Sequence, residues 1–183
     1  MKPQALKRGN TVLLVVDVQE RLFAAMEREA GTRMLERLGA LIEGARVLGL
    51  PIVVTEQYPK GLGRTVPPIR ERLGGDVPVI EKLRFSALVD AVRTRLSGRR
   101  DVVVAGMETH VCVYQTVRDL VAEGRHPTVC IDAVLSRKSV DREAGLELAK
   151  AAGATLSSVE AVLFDLLGEA GSAEFKKISA AVK

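Results

Sequence analysis

The sequence predicts an α/β fold of three layers, with a doubly wound, six-stranded parallel sheet in Rossmann-like order 3-2-1-4-5-6 between two layers of helices. Two observations predict it. Short β-branched, apolar runs alternate with longer stretches whose apolar residues recur at helical spacing, and repeated strand–helix alternation calls for parallel pairing through helical crossovers. The first strand run, Thr11 to Val16, is also nearly all apolar, as a strand covered on both faces is.

Thr11 to Val16 is the first strand. Met34 to Leu48 carries Leu35, Leu38, Leu41, Ile42, Ala45 and Leu48 at helical spacing, and Gly49 ends that helix. Pro51 to Thr55 is the second strand and Val77 to Ile80 the third. Ala87 to Leu96 reads as a helix with Ser86 as its N-cap. Asp101 to Ala105 is the fourth strand, followed by a helix from Tyr114 to Glu123 that Gly124 closes. Thr128 to Ile131 is the fifth strand, and Val140 to Ala152 a helix capped by Gly153. Ala154 to Ser157 is the sixth. Ser157 and Glu160 match a capping box before a helix through Leu167, and a last helix occupies Ala173 to Val182.

The 183 residues suit one domain spanning 1–183, and 47% hydrophobic with 27% charged residues is a globular balance. No apolar stretch approaches the roughly 20 residues that a membrane span needs. The basic N-terminal stretch, Met1 to Arg8, is followed by no apolar region with a cleavage site. Two cysteines cannot build a disulfide framework, so a cytoplasmic location is expected. The net charge is +4, aromatic residues are 3%, and Trp is absent. Base-stacking platforms are therefore not expected, and neither nucleic acid nor membrane is an expected partner. A small molecule is the expected partner, with at most a mild preference for anions.

In a sheet of this order, ligands bind beyond the carboxyl ends of the strands where the order reverses, between the first and fourth. Asp17 ends the first strand, and Cys112 follows the fourth at the start of a helix. Unpaired N–H groups and the helix dipole there favour a thiolate. The competing reading is a buried, inert cysteine. Asp17 either caps a loop or carries chemistry, since a carboxylate ending a buried strand is costly unless paired. Lys82 follows the third strand and, taken alone, is an ordinary surface lysine. Together the three form a nucleophile set: a cation beside a thiol, and a carboxylate able to carry its proton.

At these residues the chain resembles the isochorismatase-like hydrolase superfamily, the Asp-Lys-Cys cysteine hydrolases. The matching pieces are Val15-Val16-Asp17-Val18-Gln19, Lys82 before Phe85-Ser86, and Gly106-x-x-Thr109-x-x-Cys112-Val113, with Asp132-Ala133 beyond them. Thr55 to Gly63, the tail from Leu166 to Gly171, and then Phe175-Lys176 are most similar to the isochorismatase domain-containing subgroup. The resemblance implies that Asp17 takes the Cys112 proton, the sulfur attacks a carbonyl carbon, and Lys82 orients Asp17. It also implies an oxyanion site made by the backbone N–H groups of Glu108 and Cys112, a cis peptide at Met107–Glu108, and a homo-oligomer, dimer or tetramer. A Glu108 carboxylate turned toward Cys112 would oppose thiolate formation, so its orientation matters.

Gln19, Phe23, Gln57 and Tyr58 are the candidate substrate contacts, against loop packing for Gln57 and Tyr58 and core packing for Phe23. The loop from Glu56 to Arg64 lacks the histidines of the nicotinamidase metal cluster, so no metal is expected, and no cofactor. Gly61-Leu62-Gly63 lacks the third glycine of a dinucleotide fingerprint. His110 does not share a face with Cys112, His126 lies in a turn, and Cys130 reads as core. The leading function is a cysteine hydrolase that cleaves a small amide or related C–N bond through a thioester. Alternatives are an isochorismatase-type vinyl-ether hydrolase, which needs no cysteine, and an oligomeric scaffold or thiol redox sensor.

Overall fold

The computed structural model describes residues 5–183; the first four residues of the basic stretch from Met1 to Arg8 lie outside the described residues. Six strands, β1 (Thr11–Val16), β2 (Ile52–Gln57), β3 (Val79–Lys82), β4 (Asp101–Met107), β5 (His126–Leu135) and β6 (Thr155–Ser157), form one sheet. Its order is β3-β2-β1-β4-β5-β6, with every neighbouring pair parallel. Around it lie α1 (Glu20–Ala24), α2 (Arg28–Val47), α3 (Pro59–Leu62), α4 (Pro67–Leu73), α5 (Asp90–Arg95), α6 (Tyr114–Ala122), α7 (Ser139–Ala151), α8 (Val159–Leu167) and α9 (Ala173–Ala181).

The two faces of the sheet are sorted by the period-2 alternation of side chains. Leu13, Val15, Val54, Val103 and Ala105 join Leu38, Leu41 and Ile42 of α2 and Leu163 of α8 in one buried cluster. Val12, Leu14, Val16, Val53, Val102 and Val104 join Val92 of α5, Val117 and Leu120 of α6 and Ala149 of α7 in the other. Both faces of the central strands β1 and β4 are buried, which is why their runs are almost wholly apolar. The edge strands β3 and β6 are partly exposed and carry Glu81, Lys82, Thr155 and Ser157. Among the described residues, no helix is long and apolar enough to cross a membrane.

Several boundaries differ from the sequence reading for local reasons. Helix α2 starts at Arg28, six residues before Met34, because the Glu27 carboxylate accepts from the N–H groups of Glu29 (2.8 Å) and Ala30 (2.7 Å). Ser86 does not cap a helix. Its Oγ accepts from Leu88 N–H at 3.2 Å, Ala87 N–H donates to Thr116 Oγ1 at 2.8 Å, and α5 begins only at Asp90. The cap of α8 is Ser158, accepting from Ala161 N–H at 3.2 Å; Ser157 is the last residue of β6. Strand β5 is ten residues rather than four, and its register with β4 shifts between Val104 and Gly106. Lys82 is the last residue of β3 rather than a loop residue. Helices α3 and α4 were not expected, although each begins at a proline, Pro59 and Pro67, a residue preorganised for a first helical turn.

Candidate active site

Asp17, Lys82 and Cys112 come together at the carboxyl end of the sheet. Val16 of β1 is level with Thr55 of β2 on one side and Gly106 of β4 on the other. Asp17 takes a left-handed backbone (φ 51) just past the strand, and its N–H donates to Thr55 O at 3.1 Å. The side chain is wholly buried. Its Oδ1 accepts from Thr55 Oγ1 at 2.7 Å and its Oδ2 from Lys82 Nζ at 2.5 Å. Lys82 gives its other two protons to the carbonyls of Arg84 (3.0 Å) and Phe85 (2.9 Å), so all three N–H bonds of the ammonium are used. Such a buried pair costs several kcal/mol per ion in desolvation, and the extra bonds around both groups offset that cost.

Cys112 is delivered by a sharp passage from β4 into α6. Gly106 (φ 128) lies against β1 so closely that a Cβ there would stand 2.0 Å from the Val16 carbonyl oxygen. The Met107–Glu108 peptide is cis, and Thr109–Val113 form a π-helical turn in which Val113 N–H donates to Glu108 O at 3.2 Å. π-Turns are uncommon and recur at functional sites. Helix α7 braces this turn: a Cβ at Gly145 would lie 2.6 Å from the His110 backbone nitrogen. Cys112 is 3% exposed. Its Sγ lies within hydrogen-bonding reach of the Asp17 carboxyl group and of the Glu108 backbone N–H, and the thiol faces Gln57 Oε1 at 3.7 Å.

Burial, reinforced by the Asp17 charge, pushes the Cys112 thiol up to about 12, against the opposing pull of Lys82 and the Glu108 N–H. The expectation of a resting thiolate at a helix start is therefore overturned: desolvation outweighs the exposed N–H groups of one turn. Burial also raises the Asp17 carboxyl above the usual carboxylate range, against the pull of Lys82, Thr55 and Cys112. The resting pair is thus a protonated thiol beside a carboxylate made a stronger base by its surroundings. That arrangement can pass a proton at the moment of attack without storing a thiolate.

Glu108 does not turn its carboxylate to the sulfur. Its Oε1 accepts from the backbone N–H (3.1 Å) and Nε (3.0 Å) of Arg137, while its own N–H faces Sγ. Gln19 is wholly buried, and its amide is spent on loop backbone: Nε2 donates to Gln57 O (3.0 Å) and Gly63 O (2.7 Å), and Oε1 accepts from Gln57 N–H (2.7 Å). It clamps the β2–α3 loop instead of facing the cleft. Phe23 is half-buried and packs its ring against Gly31 of α2.

Gln57 stands at the sulfur, with Nε2 donating to Leu83 O at 3.4 Å. Tyr58 holds a left-handed backbone (φ 38) and, with Pro59, Lys60, Glu81, Lys82 and Leu83, lines a cleft of about 350 Å³. Glu56, after the apolar part of β2, is bonded by Thr65 and by Arg64 at 3.0 Å. His110 Nδ1 meets Ser136 Oγ at 3.0 Å, His126 Nδ1 meets Asp101 Oδ1 at 3.2 Å, and Cys130 lies wholly inside the core. Sequence reasoning missed Thr55, Arg137 and Gly145. Thr55 had a signal, a hydroxyl closing the run Ile52-Val53-Val54. Arg137 and Gly145 act on the site only through the folded packing.

Comparison with known proteins places the chain among relatives of one family. The isochorismatase domain family model matches residues 11–161. The secreted isochorismatase effector Isc1 of Phytophthora sojae is 39% identical over 180 residues, covering 95% of this chain and 85% of its own. Isochorismatase domain-containing protein 2 of Bos taurus is 36% identical over 178 residues, covering 96% of this chain and 84% of its own. Among solved structures, the MAR1 ribonuclease of Caenorhabditis elegans superposes with a TM-score of 0.93 at 35% identity, covering 98% of this chain and 92% of that one.

Proposed function

This chain belongs to the isochorismatase-like hydrolase family, and from that premise we propose that it is a cysteine hydrolase, one domain over residues 1–183, that cleaves a small amide or related C–N bond. The observation that carries the proposal is a single carboxylate, Asp17, bonded to Lys82 Nζ at 2.5 Å and in reach of the Cys112 thiol. Asp17 accepts the thiol proton as Sγ bonds to the carbonyl carbon. The N–H groups of Glu108 and Cys112 hold the negative oxygen that forms. The C–N bond then breaks, Asp17 returns the proton to the leaving nitrogen, and a thioester remains on Cys112. Asp17 next takes a proton from water, whose hydroxide oxygen bonds to the thioester carbon. The C–S bond breaks and the sulfur recovers the proton. Lys82 stays charged throughout and fixes the carboxylate.

Vinyl-ether hydrolysis would leave Cys112 without a task. A thiol sensor would leave the buried Asp17–Lys82 ion pair beside Cys112 without a task. The test is a panel of small amides, with a vinyl ether and an RNA alongside. We expect amide hydrolysis with an acyl adduct on Cys112 detectable by mass spectrometry, and a loss of about 10⁴-fold or more in Cys112→Ala. Undiminished hydrolysis in that variant would sink the assignment.

The substrate is a small molecule, and no metal or cofactor enters the chemistry proposed. Both thiols are free, which suits a cytoplasmic, reducing setting, while the Phytophthora relative is a secreted protein. The chain is proposed to act as a homo-oligomer, dimer or tetramer. Tyr58 (53% exposed), Leu83 (78%) and Phe85 (53%) gather apolar surface beside the cleft. Sedimentation velocity tests this, and a monomer at micromolar concentration refutes it.

A further inference from the structure

A second cavity, of about 590 Å³, lies between α2 and the segment joining β5 to α7. Four arginines line it, Arg33 and Arg37 from α2 and Arg137 and Arg142 from the opposite wall, against two carboxylates, Glu27 and Asp132. Both carboxylates are committed elsewhere. Glu27 caps α2, and Asp132 accepts from Val159 N–H at 2.9 Å. The guanidinium groups are only partly used. Arg137 gives Nε to Glu108, Arg37 gives Nη1 to Val182 O at 2.7 Å, and Arg142 bonds the carbonyls of Val134 and Ile131. Arg33 reaches Glu29 only at 3.5 Å. A guanidinium carries five N–H donors in a planar fork suited to phosphate and carboxylate oxygens. Four such groups around one cavity repel one another until an anion enters.

The wall of this cavity is also the support of the Cys112 turn. Ser136 and Arg137 line it side by side. Ser136 Oγ bonds His110 Nδ1 at 3.0 Å, and Arg137 bonds the Glu108 carboxylate. Glu108 and His110 flank the start of the π-helical turn, and the Glu108 N–H faces the sulfur. We propose that the arginine-lined cavity is a regulatory site for a small multivalent oxyanion, phosphorylated or polycarboxylate, that competes with Glu108 for Arg137 and thereby loosens the turn carrying Cys112. A Glu108 carboxylate released from Arg137 places negative charge near the sulfur and slows its reaction. The binding does not depend on the hydrolase reading; only the consequence at Cys112 bears on it.

Inorganic pyrophosphate at constant ionic strength is the probe, read by calorimetry on the full chain and by the rate of iodoacetamide alkylation of Cys112. We expect saturable binding that slows alkylation several-fold. Arg33→Gln should weaken binding about tenfold while leaving alkylation without pyrophosphate at the wild-type rate. Arg137→Gln should alkylate slowly from the start and not respond to pyrophosphate. Absence of saturable binding, equal binding in Arg33→Gln, or wild-type alkylation unchanged at saturation would each overturn the proposal. Amide hydrolysis that survives Cys112→Ala would instead remove the hydrolase assignment and leave the binding result standing.

Discussion

Cys112 and Cys130 are both free and both buried, and burial raises both thiols. Cys130 sits midway along β5, inside the cluster that packs under α2 and α8, with the charge of Asp132 as its electrostatic neighbour. Cys112 sits beyond the end of β4, where Asp17, Lys82, Gln57 and a backbone N–H converge. Neither thiol is ionised at rest. What separates them is that Cys112 has a carboxyl group and a cation beside it, whereas the one charge acting on Cys130 is Asp132, whose Oδ1 is bonded to the Val159 N–H. The two thiols differ in their neighbours, not in being buried.

The sharpest way to break the contrast is to remove the cation. Lys82→Met leaves Asp17 buried with only Thr55 and Cys112 as partners, and should lower stability by about 3–5 kcal/mol. Without the pull of Lys82, burial raises the Asp17 carboxyl further, so it holds a proton more readily, and Cys112 should alkylate as poorly as Cys130. Urea unfolding and the labelling ratio read both effects; a stable variant with undiminished labelling would contradict the ion pair's role. In the wild type, iodoacetamide should label Cys112 far faster than Cys130 near neutral pH.

A smaller effect lies in alkali. The Cys112 pKa is raised from 9.0 to about 12 on folding, so the folded state keeps a proton that the unfolded chain releases. That contribution is complete below pH 9.0 and is lost as pH rises toward about 12. Between pH 8 and 11, the wild type should lose about 1–3 kcal/mol more stability than Cys112→Ser. Equal losses would mean that the thiol is not desolvated. Smallest, Gly145→Ala pushes a methyl group into the His110 backbone and should cost about 1–2 kcal/mol. The same change at Gly49, where nothing lies within 4 Å, meets no neighbour, so only its left-handed backbone is strained. Activity should fall in the first variant alone.

Much of this was legible in the chain. The strand runs located all six strands, and alternation with helices called for parallel pairing. The order 3-2-1-4-5-6 is the common one for a doubly wound sheet, and the sheet has it. The places of Asp17 and Cys112 followed from that order. Illegible were choices made between near neighbours or across long separations. Ser158 rather than Ser157 caps α8, a difference of one residue between two equivalent hydroxyls. Glu108 faces Arg137, 29 residues on, and no local pattern announces that partner. The thiol's protonation depended on how far water is excluded, which only the packed structure decides.

The contact between Gly106 and Val16 carries one more consequence. Because two adjacent strands touch backbone to backbone at that level, the separation of Asp17 and Cys112 is inherited from the ladder spacing of the sheet. The segments from Gln57 to Thr65 and from Leu83 to Ser86 hang from the ends of β2 and β3. Spacing and charge are therefore secured separately: a graft that removed the Arg84 and Phe85 carbonyls would release two of the three Lys82 bonds without moving β1 against β4.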